Sequence, residues 1–204
     1  MIEYPKIQTL FKRDMASGKI IEGDFTLPEF EYLKDNIWVF TEKVDGTNIR
    51  VIFDKKGAVT FKGKTDKSQI PAFLLNKLEE IFQGKTQQDM CLYGEGYGAR
   101  IQKGGENYIK DGVDFVLFDV KVGDLWLKRE EVEEIALSFG IKVVPVIGEG
   151  TLADMVEMVK KGFKSRWGDF IAEGIVARPK VELQDRNFQR IITKLKHRDF
   201  VKEG

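Results

Sequence analysis

The chain has one cysteine, Cys91, and one histidine, His197. A lone cysteine excludes an intramolecular disulfide and a Cys-rich zinc site, and it reads most simply as a small buried thiol. A lone histidine removes histidine dyads and multi-histidine metal centres. No apolar run approaches the roughly 18 residues of a membrane span, and the N-terminus lacks a basic-then-apolar signal pattern. The expectation is a cytoplasmic protein in a reducing compartment, with neither a membrane nor a disulfide partner. Excess charge is missing too, since 33 Lys+Arg balance 33 Asp+Glu over 204 residues. Polyanion binding must then come from local patches and not from a global field. No repeat, low-complexity tract or long linker divides the sequence, which predicts one domain over 1–204 and a monomer.

What is present is a succession of short elements. Residues 1–36, punctuated by Pro5, Gly18, Gly23 and Pro28, read as irregular entry structure, with Tyr4 to Phe11 able to pack an edge. Ile37 to Glu42 is rich in β-branched and aromatic residues and predicts a strand, broken at Lys43 to Gly46. Ile49, Val51 and Phe53 alternate, Lys55-Lys56-Gly57 signals a turn, and Ala58 to Lys64 returns, which together predict a β-hairpin. Pro71 to Phe82 reads as a helix ended by Gly84. Met90 to Gly94 reads as a strand running into a glycine-rich loop through Gly105, and Val113 to Val120 as another strand. A helix over Arg129 to Phe139 ends at Gly140, Ile141 to Ile147 reads as a strand, and Thr151 caps a helix reaching Gly162. Gly174 to Arg178 and Gln189 to Lys196 complete the set. Strands joined by tight turns with irregularly interspersed helices predict an antiparallel-rich α+β domain.

Lys43 stands at the end of an apolar strand with Asp45 and Arg50 close by. A lysine nucleophile needs deprotonation, an electrophile held in line, and charge neutralisation on what it attacks. Partial burial and nearby cations assist the first. On its own, Lys43 reads equally well as an exposed turn lysine paired with Asp45. Glu95 lies between two glycines after a strand, as either a ribose acceptor or a turn acid. Phe118 beside Asp119 offers a ring to a base or to the core. Glu173 opens a buried strand, where a carboxylate is costly without a cation or a partner. Lys194 and Lys196, two apart on a strand, share one face, as two phosphate-binding cations should.

Taken together, Lys43-Val-Asp45-Gly46-Thr-Asn48-Ile-Arg50 resembles the Lys-x-Asp-Gly signature of covalent nucleotidyltransferases: DNA ligases, RNA ligases and capping guanylyltransferases. Tyr93-Gly94-Glu95-Gly96, Phe115-Val-Leu-Phe118-Asp119, Glu173-Gly174-Ile175-Val176 and Lys194-Leu-Lys196 resemble the superfamily's other elements, in the right order. Glu42-Lys43 with Thr47-Asn48, and the Gly98-Ala-Arg100-Ile-Gln102-Lys103 loop, are similar to the phage-type ATP-dependent RNA ligases, and this likeness suggests a phage-like source.

The resemblance implies an ATP-grasp-like nucleotidyltransferase fold, with two sheets around a nucleotide cleft and flanking helices. Lys43 would attack the α-phosphate of ATP, expel pyrophosphate and hold AMP as a phosphoramidate. Glu95 would hold the ribose, Phe118 would stack on adenine, and the Glu42 segment would lie near the adenine edge, with Asn48 among the nucleotide-binding residues. Arg50, Lys194 and Lys196 would contact ribose or phosphates, while Asp45, Asp119 and Glu173 would bind magnesium or orient the lysine. AMP would pass to a 5′-phosphate end of RNA or DNA, and a 3′-hydroxyl would displace it. Lys64 stands where the family pattern leads one to expect an arginine, and a lysine cannot make the same bidentate phosphate contact. No oligonucleotide-binding barrel or accessory C-terminal domain is expected after Lys196. Strand binding then falls to a basic patch from the tail (Arg186, Arg190, Lys194, Lys196, Arg198), joined by Arg100 and Lys103. Alternatives under the same chemistry are a minimal DNA ligase and a guanylyltransferase; outside it, a nucleotide-binding or protein-adenylating module that joins no ends.

Overall fold

A computed structural model describes residues 3–85 and 89–201. In chain order the elements are β1 (Gln8–Thr9), β2 (Phe11–Arg13), β3 (Ile20–Phe25), α1 (Pro28–Tyr32), β4 (Trp38–Lys43), β5 (Thr47–Phe53), β6 (Val59–Lys62), α2 (Ala72–Phe82), β7 (Met90–Gly98), β8 (Val113–Val122), β9 (Leu125–Trp126), α3 (Arg129–Phe139), β10 (Lys142–Val143), β11 (Val146–Gly150), α4 (Leu152–Lys161), β12 (Gly174–Pro179) and β13 (Thr193–Lys196). The result is a mixed α+β fold in which antiparallel pairing dominates, as expected from the sequence.

The chain divides into two compact units. The first comprises Asp45–Val144 with the described residues up to Pro5, and holds the sheet β10-β8-β7-β5-β6, with β9 on β8. Ile49, Val51 and Phe53 of β5 alternate into a core with Leu92 of β7 and Phe115 and Leu117 of β8, closed by Leu74, Leu78 and Phe82 of α2 and by Val132, Ala136 and Phe139 of α3. The period-2 strand pattern meets the helical pattern there because each presents one apolar face. Gly140 ends α3 at φ +70, a conformation that costs glycine least.

The second unit comprises Lys6–Val44 with the described residues from Pro145 onward, and holds the sheet β1-β13-β12-β4-β11. Its core joins Trp38 and Phe40 of β4, Ile175 and Ala177 of β12, and Leu195 of β13 to Leu152, Met155, Val156 and Val159 of α4. A reciprocal cap starts α4: Thr151 Oγ1 accepts from the Asp154 N–H, and the Asp154 carboxylate accepts from the Thr151 N–H.

Several elements differ from expectation for tertiary reasons. The entry region holds three strands: β1 packs an edge through a parallel partner, β13, 185 positions away at Gln8↔Thr193, while β2 and β3 pair with each other where irregular structure was expected. The glycines after Met90 do not make a loop, and β7 runs on to Gly98. A Cβ on Gly94 would fall 2.2 Å from the Phe115 ring, and one on Gly96 2.5 Å from Leu74, so these glycines serve close packing inside a strand. The apolar run Ile141–Ile147 is divided between two sheets: Lys142–Val143 pairs with β8, and after Pro145 the chain pairs with β4. Of the run Gln189 to Lys196, only Thr193–Lys196 is strand. Cys91 is buried, and burial pushes its thiol's pKa up.

Candidate active site

Lys43 is the last residue of β4, so its backbone is held by a central strand rather than by the turn that was expected. Gly174, at the start of β12, lies opposite Lys43 on one side and opposite Lys196 on the other. The carboxylate one position earlier, Glu173, reaches both lysines. Lys43 Nζ stands 2.5 Å from Glu173 Oε2, and Lys196 Nζ stands 2.6 Å from Glu173 Oε1. All three side chains are mostly enclosed, with 19%, 10% and 21% exposure for Lys43, Glu173 and Lys196. Gly174 makes this approach possible, since a Cβ there would fall 2.0 Å from the Leu195 carbonyl oxygen. The backbone is tied as well, as the His197 N–H donates to the Glu173 carbonyl at 2.8 Å.

Lys194 and Lys196 share the half-buried face of β13, alternating with buried Thr193 and Leu195, as their spacing predicts. Two lysines around one carboxylate leave a net positive charge, and a partly enclosed excess cation attracts an anion such as phosphate.

Glu42 takes the other face of β4. It shares the alternation of Trp38 and Phe40, is 1% exposed, and holds residues of its own unit: Oε1 accepts from Ser165 Oγ and Oε2 from the Arg166 N–H at 2.8 Å. Period-2 geometry puts neighbours on opposite faces, so Glu42 and Lys43 diverge.

In the other unit, the glycine of the Lys-x-Asp-Gly stretch has a steric reason. A Cβ on Gly46 would fall 2.2 Å from the Gly96 carbonyl oxygen. The Asp45 N–H donates to the Tyr108 hydroxyl at 3.1 Å, and Gln102 Nε2 donates to the Gly46 carbonyl at 3.1 Å. The 98–112 segment thereby holds the stretch from beyond β7. Asn48, Arg50, Tyr93 and Glu95 lie on the face of the sheet opposite its core, with Asn48 across from Glu95 and Arg50 across from Tyr93. Glu95 is therefore mid-strand, where a turn position was expected.

Arg50 is fully buried; Nε donates to the Gly63 carbonyl at 2.9 Å and Nη2 to Asp66 Oδ1 at 2.8 Å. That contact, with Lys62 adding to it, holds the Asp66 carboxyl below its ordinary pKa. Among the described residues, the buried atoms Asn48 Oδ1 and Arg50 Nη1 on this face have no hydrogen-bond partner. An orphaned acceptor and an orphaned donor two positions apart on one strand fit a polar ligand with its own donors and acceptors.

Phe118 sits at the irregularity where β8 skips a residue against β7, which turns its ring out of the core. Its neighbour is Tyr4, edge-on with ring centroids 5.0 Å apart. Tyr4 also packs against Tyr93 and Trp126 and donates its hydroxyl to Asp119, which is 1% exposed. Burial, first of all, raises the Tyr93 hydroxyl's pKa. Tyr4 is a site residue that sequence reasoning missed, for its partners stand far along the chain and nothing local marks it. Lys64 is exposed beyond the end of β6.

The basic tail does not form one patch. Arg186 and Arg190 belong to the connection between β12 and β13, at the far end of β13 from Lys196, and the Arg190 side chain is 6% exposed, 3.7 Å from Glu182.

The model of the RNA ligase family matches residues 36–196. The chain belongs to that family. The match begins just before β4 and ends at Lys196, so it takes in Lys43, Asp45, Asn48, Arg50, Glu95, Phe118, Asp119, Glu173, Lys194 and Lys196, but neither Tyr4 nor His197. No curated protein sequence matches the chain significantly. Among solved structures, the fold is that of Naegleria gruberi RNA ligase: an apo mutant superposes with a TM-score of 0.62 at 19% identity, over 97% of this chain and 62% of that one. Another mutant of that ligase, solved with ATP and manganese, gives 0.61 at 20%, over 96% and 64%. An archaeal ATP-dependent RNA ligase gives 0.63 at 16%, over 97% and 48%. The chain thus spans about three fifths of the Naegleria ligase's length. No helix among the described residues is long and apolar enough to cross a membrane.

Proposed function

We propose that this member of the RNA ligase family is an ATP-dependent RNA ligase working through a lysyl-AMP intermediate on Lys43. The Lys43–Glu173–Lys196 cluster carries the reading, in a chain whose family is established. Lys43 Nζ attacks the α-phosphorus of ATP, a P–N bond forms, the bond to the β-phosphate oxygen breaks, and pyrophosphate leaves with the electron pair. Glu173 holds the amine in place and is the nearest base for the proton that nitrogen must shed. Lys196, on the other carboxylate oxygen, and Lys194, on the same face, contribute positive charge for the phosphates.

On the other sheet, Glu95, Asn48 and Arg50 are the groups for the sugar and Phe118 is the platform for the base. The orphaned Asn48 Oδ1 and Arg50 Nη1 support this assignment. Transfer of AMP to an RNA 5′-phosphate regenerates the Lys43 amine, and a 3′-hydroxyl then expels AMP to form the phosphodiester.

Magnesium fits the donor set in one way. Among the described residues, no three acidic, histidine or cysteine side chains gather into a metal-binding group. Magnesium is commonly held by one or two carboxylates plus substrate phosphates, and Asp45, Asp119 and Glu173 are the carboxylates that would hold such an ion. When bound, it would supply charge neutralisation on the triphosphate.

The test is incubation with magnesium and α-labelled ATP, followed by denaturation. Label is expected to stay on the protein, to vanish in Lys43→Ala, and to pass to a 5′-phosphorylated RNA that is then joined. Absence of a covalent adduct in the unsubstituted protein would sink the proposal, and an adduct that never reaches RNA would make the chain an adenylating enzyme of another kind.

A further inference from the structure

The segment between α4 and β12, Phe163-Lys164-Ser165-Arg166-Trp167-Gly168-Asp169-Phe170-Ile171, has no role in the chemistry above. It forms a small hairpin: the Ser165 N–H donates to the Phe170 carbonyl, the Ala172 N–H donates to the Phe163 carbonyl, and Lys164 bridges to Ile171. The buried Glu42 carboxylate grips its inner side through Ser165 Oγ and the Arg166 N–H, while Ser165 Oγ accepts from the Trp167 N–H at 3.1 Å. Enclosing a carboxylate costs several kcal/mol unless its hydrogen bonds are satisfied, on the order of what a small domain can spare. Here that carboxylate fixes a turn that presents Lys164 and Arg166 outward, with Asp169 beside Lys164. Arg166 is exposed with no acidic partner among the described residues, and Lys164 is 68% exposed with only the exposed Asp169 beside it.

The hairpin is also part of a larger basic surface. Gly162 packs against the His197 ring, where a Cβ would fall 2.9 Å from Cε1, and His197 Nδ1 lies 2.8 Å from the Val159 carbonyl. Residues 161–171 therefore meet residues 196–198. Between them they hold five cations, Lys161, Lys164, Arg166, Lys196 and Arg198; Asp169 pairs with Lys164, Glu173 pairs with Lys196, and Asp199 caps the Lys196 N–H, which leaves Arg166 and its neighbours with an excess of positive charge. Like charges gathered on a fixed surface repel one another unless an anion lies across them. Through Lys196 the surface runs directly into the Lys43–Glu173 cluster.

We infer that this surface, with Arg166 as its central contact, binds the phosphodiester backbone of the RNA strand whose end is being joined. The inference rests on the RNA ligase reading and deepens it. Phosphate contacts hold a strand in register without reading its sequence, which suits an end-joining reaction. It also relocates the strand-binding charge from the β12–β13 connection to the α4–β12 hairpin.

The experiment compares the unsubstituted protein, the double variant Lys164→Ala/Arg166→Ala, and a charge-matched control, Lys55→Ala/Lys56→Ala, in the exposed turn after β5. Binding of a short 5′-phosphorylated RNA is titrated at several salt concentrations, and label transfer from α-labelled ATP to protein is measured in parallel. The double variant is expected to bind RNA about tenfold more weakly, with a log–log salt slope shallower by about 1 to 1.5, as two lost phosphate contacts imply for a single strand. The control should match the unsubstituted protein on both counts. Unchanged RNA affinity and slope in the double variant overturn the inference, whatever the labelling result. Weakened RNA binding in a protein that takes no label from ATP keeps the surface and removes the ligase reading, so the two failures are distinguishable.

Discussion

The two sheets hold their polar site residues in different ways. On the β4–β12–β13 side, Lys43 and Lys196 form ion pairs with the two oxygens of one carboxylate, Glu173, across adjacent strands, although Glu173 Oε1 makes no hydrogen bond of good geometry. On the β5–β7–β8 side, each group is tied to a different local partner: Arg50 to the Gly63 carbonyl and Asp66, Asp119 to Tyr4, Asp45 through its backbone to Tyr108. A mutually bonded cluster stands or falls together, because removing one member leaves the others charged and enclosed. Separately anchored groups can be removed one at a time, and on this side Arg50 Nη1 and its neighbour Asn48 Oδ1 are buried without a hydrogen-bond partner.

Glu173→Gln tests the clustered side and should have the largest effect. It keeps the shape but removes the charge between two lysines, and label transfer from ATP to Lys43 should fall about 10²-fold, the scale of losing one electrostatic partner at a reacting centre. A change of less than threefold or so would show that the cluster is structural only.

Phe118→Ala tests the other side. Loss of a base-stacking ring should weaken ATP binding by about 1–3 kcal/mol while thermal stability stays close to that of the parent, since the ring lies outside the core. An unaltered ATP affinity would return Phe118 to a packing role with Tyr4.

Glu42→Ala sharpens the contrast between β4's two faces. Stripping the buried acceptor from Ser165 and the Arg166 N–H should destabilise the fold by about 1–3 kcal/mol in a denaturant titration. If Glu42 touched the nucleotide instead, ATP affinity would drop without that loss.

The smallest effect belongs to Asp66. Its folded pKa lies below the ordinary value of 3.8, first through the Arg50 hydrogen bond, so its contribution is present above the ordinary carboxylate range and is lost as pH falls through the lowered folded value. Asp66→Asn should lower the denaturation midpoint near neutrality, and the gap to the parent should narrow as pH falls below the ordinary carboxylate value of 3.8 and through the lowered folded value. A gap independent of pH would place the stabilisation elsewhere.

How legible all this was depended on range. The hairpin around Lys55–Gly57, the helix Arg129–Phe139 and the Thr151 cap are encoded by neighbours in sequence, and all three could be read. The strand β1 and the position of Tyr4 depend on partners well over a hundred positions away, which no local pattern announces. Gly94 and Gly96 misled for a subtler reason: glycine signals a turn and an absent side chain alike, and only the Phe115 ring and Leu74 show which applies. That Glu42 turns away from Lys43 to hold Ser165 and the Arg166 N–H could not be read from the resemblance that pairs the two residues, because those partners lie more than a hundred positions on.

The division of the Ile141–Ile147 run at Pro145 has an architectural consequence. Apart from the N-terminal stretch up to Pro5, one unit is a continuous block, Asp45–Val144, set into the chain of the other. In the host, the exit and re-entry points are neighbours: Thr41 pairs with Val146, and the Glu42 N–H donates to the Pro145 carbonyl at 3.0 Å. A tight hairpin turn would close the host strands with the guest left out. The architecture is thus that of a parenthesis, a hundred-residue insertion between two adjacent strands, with Lys43 as the last strand residue before the parenthesis opens.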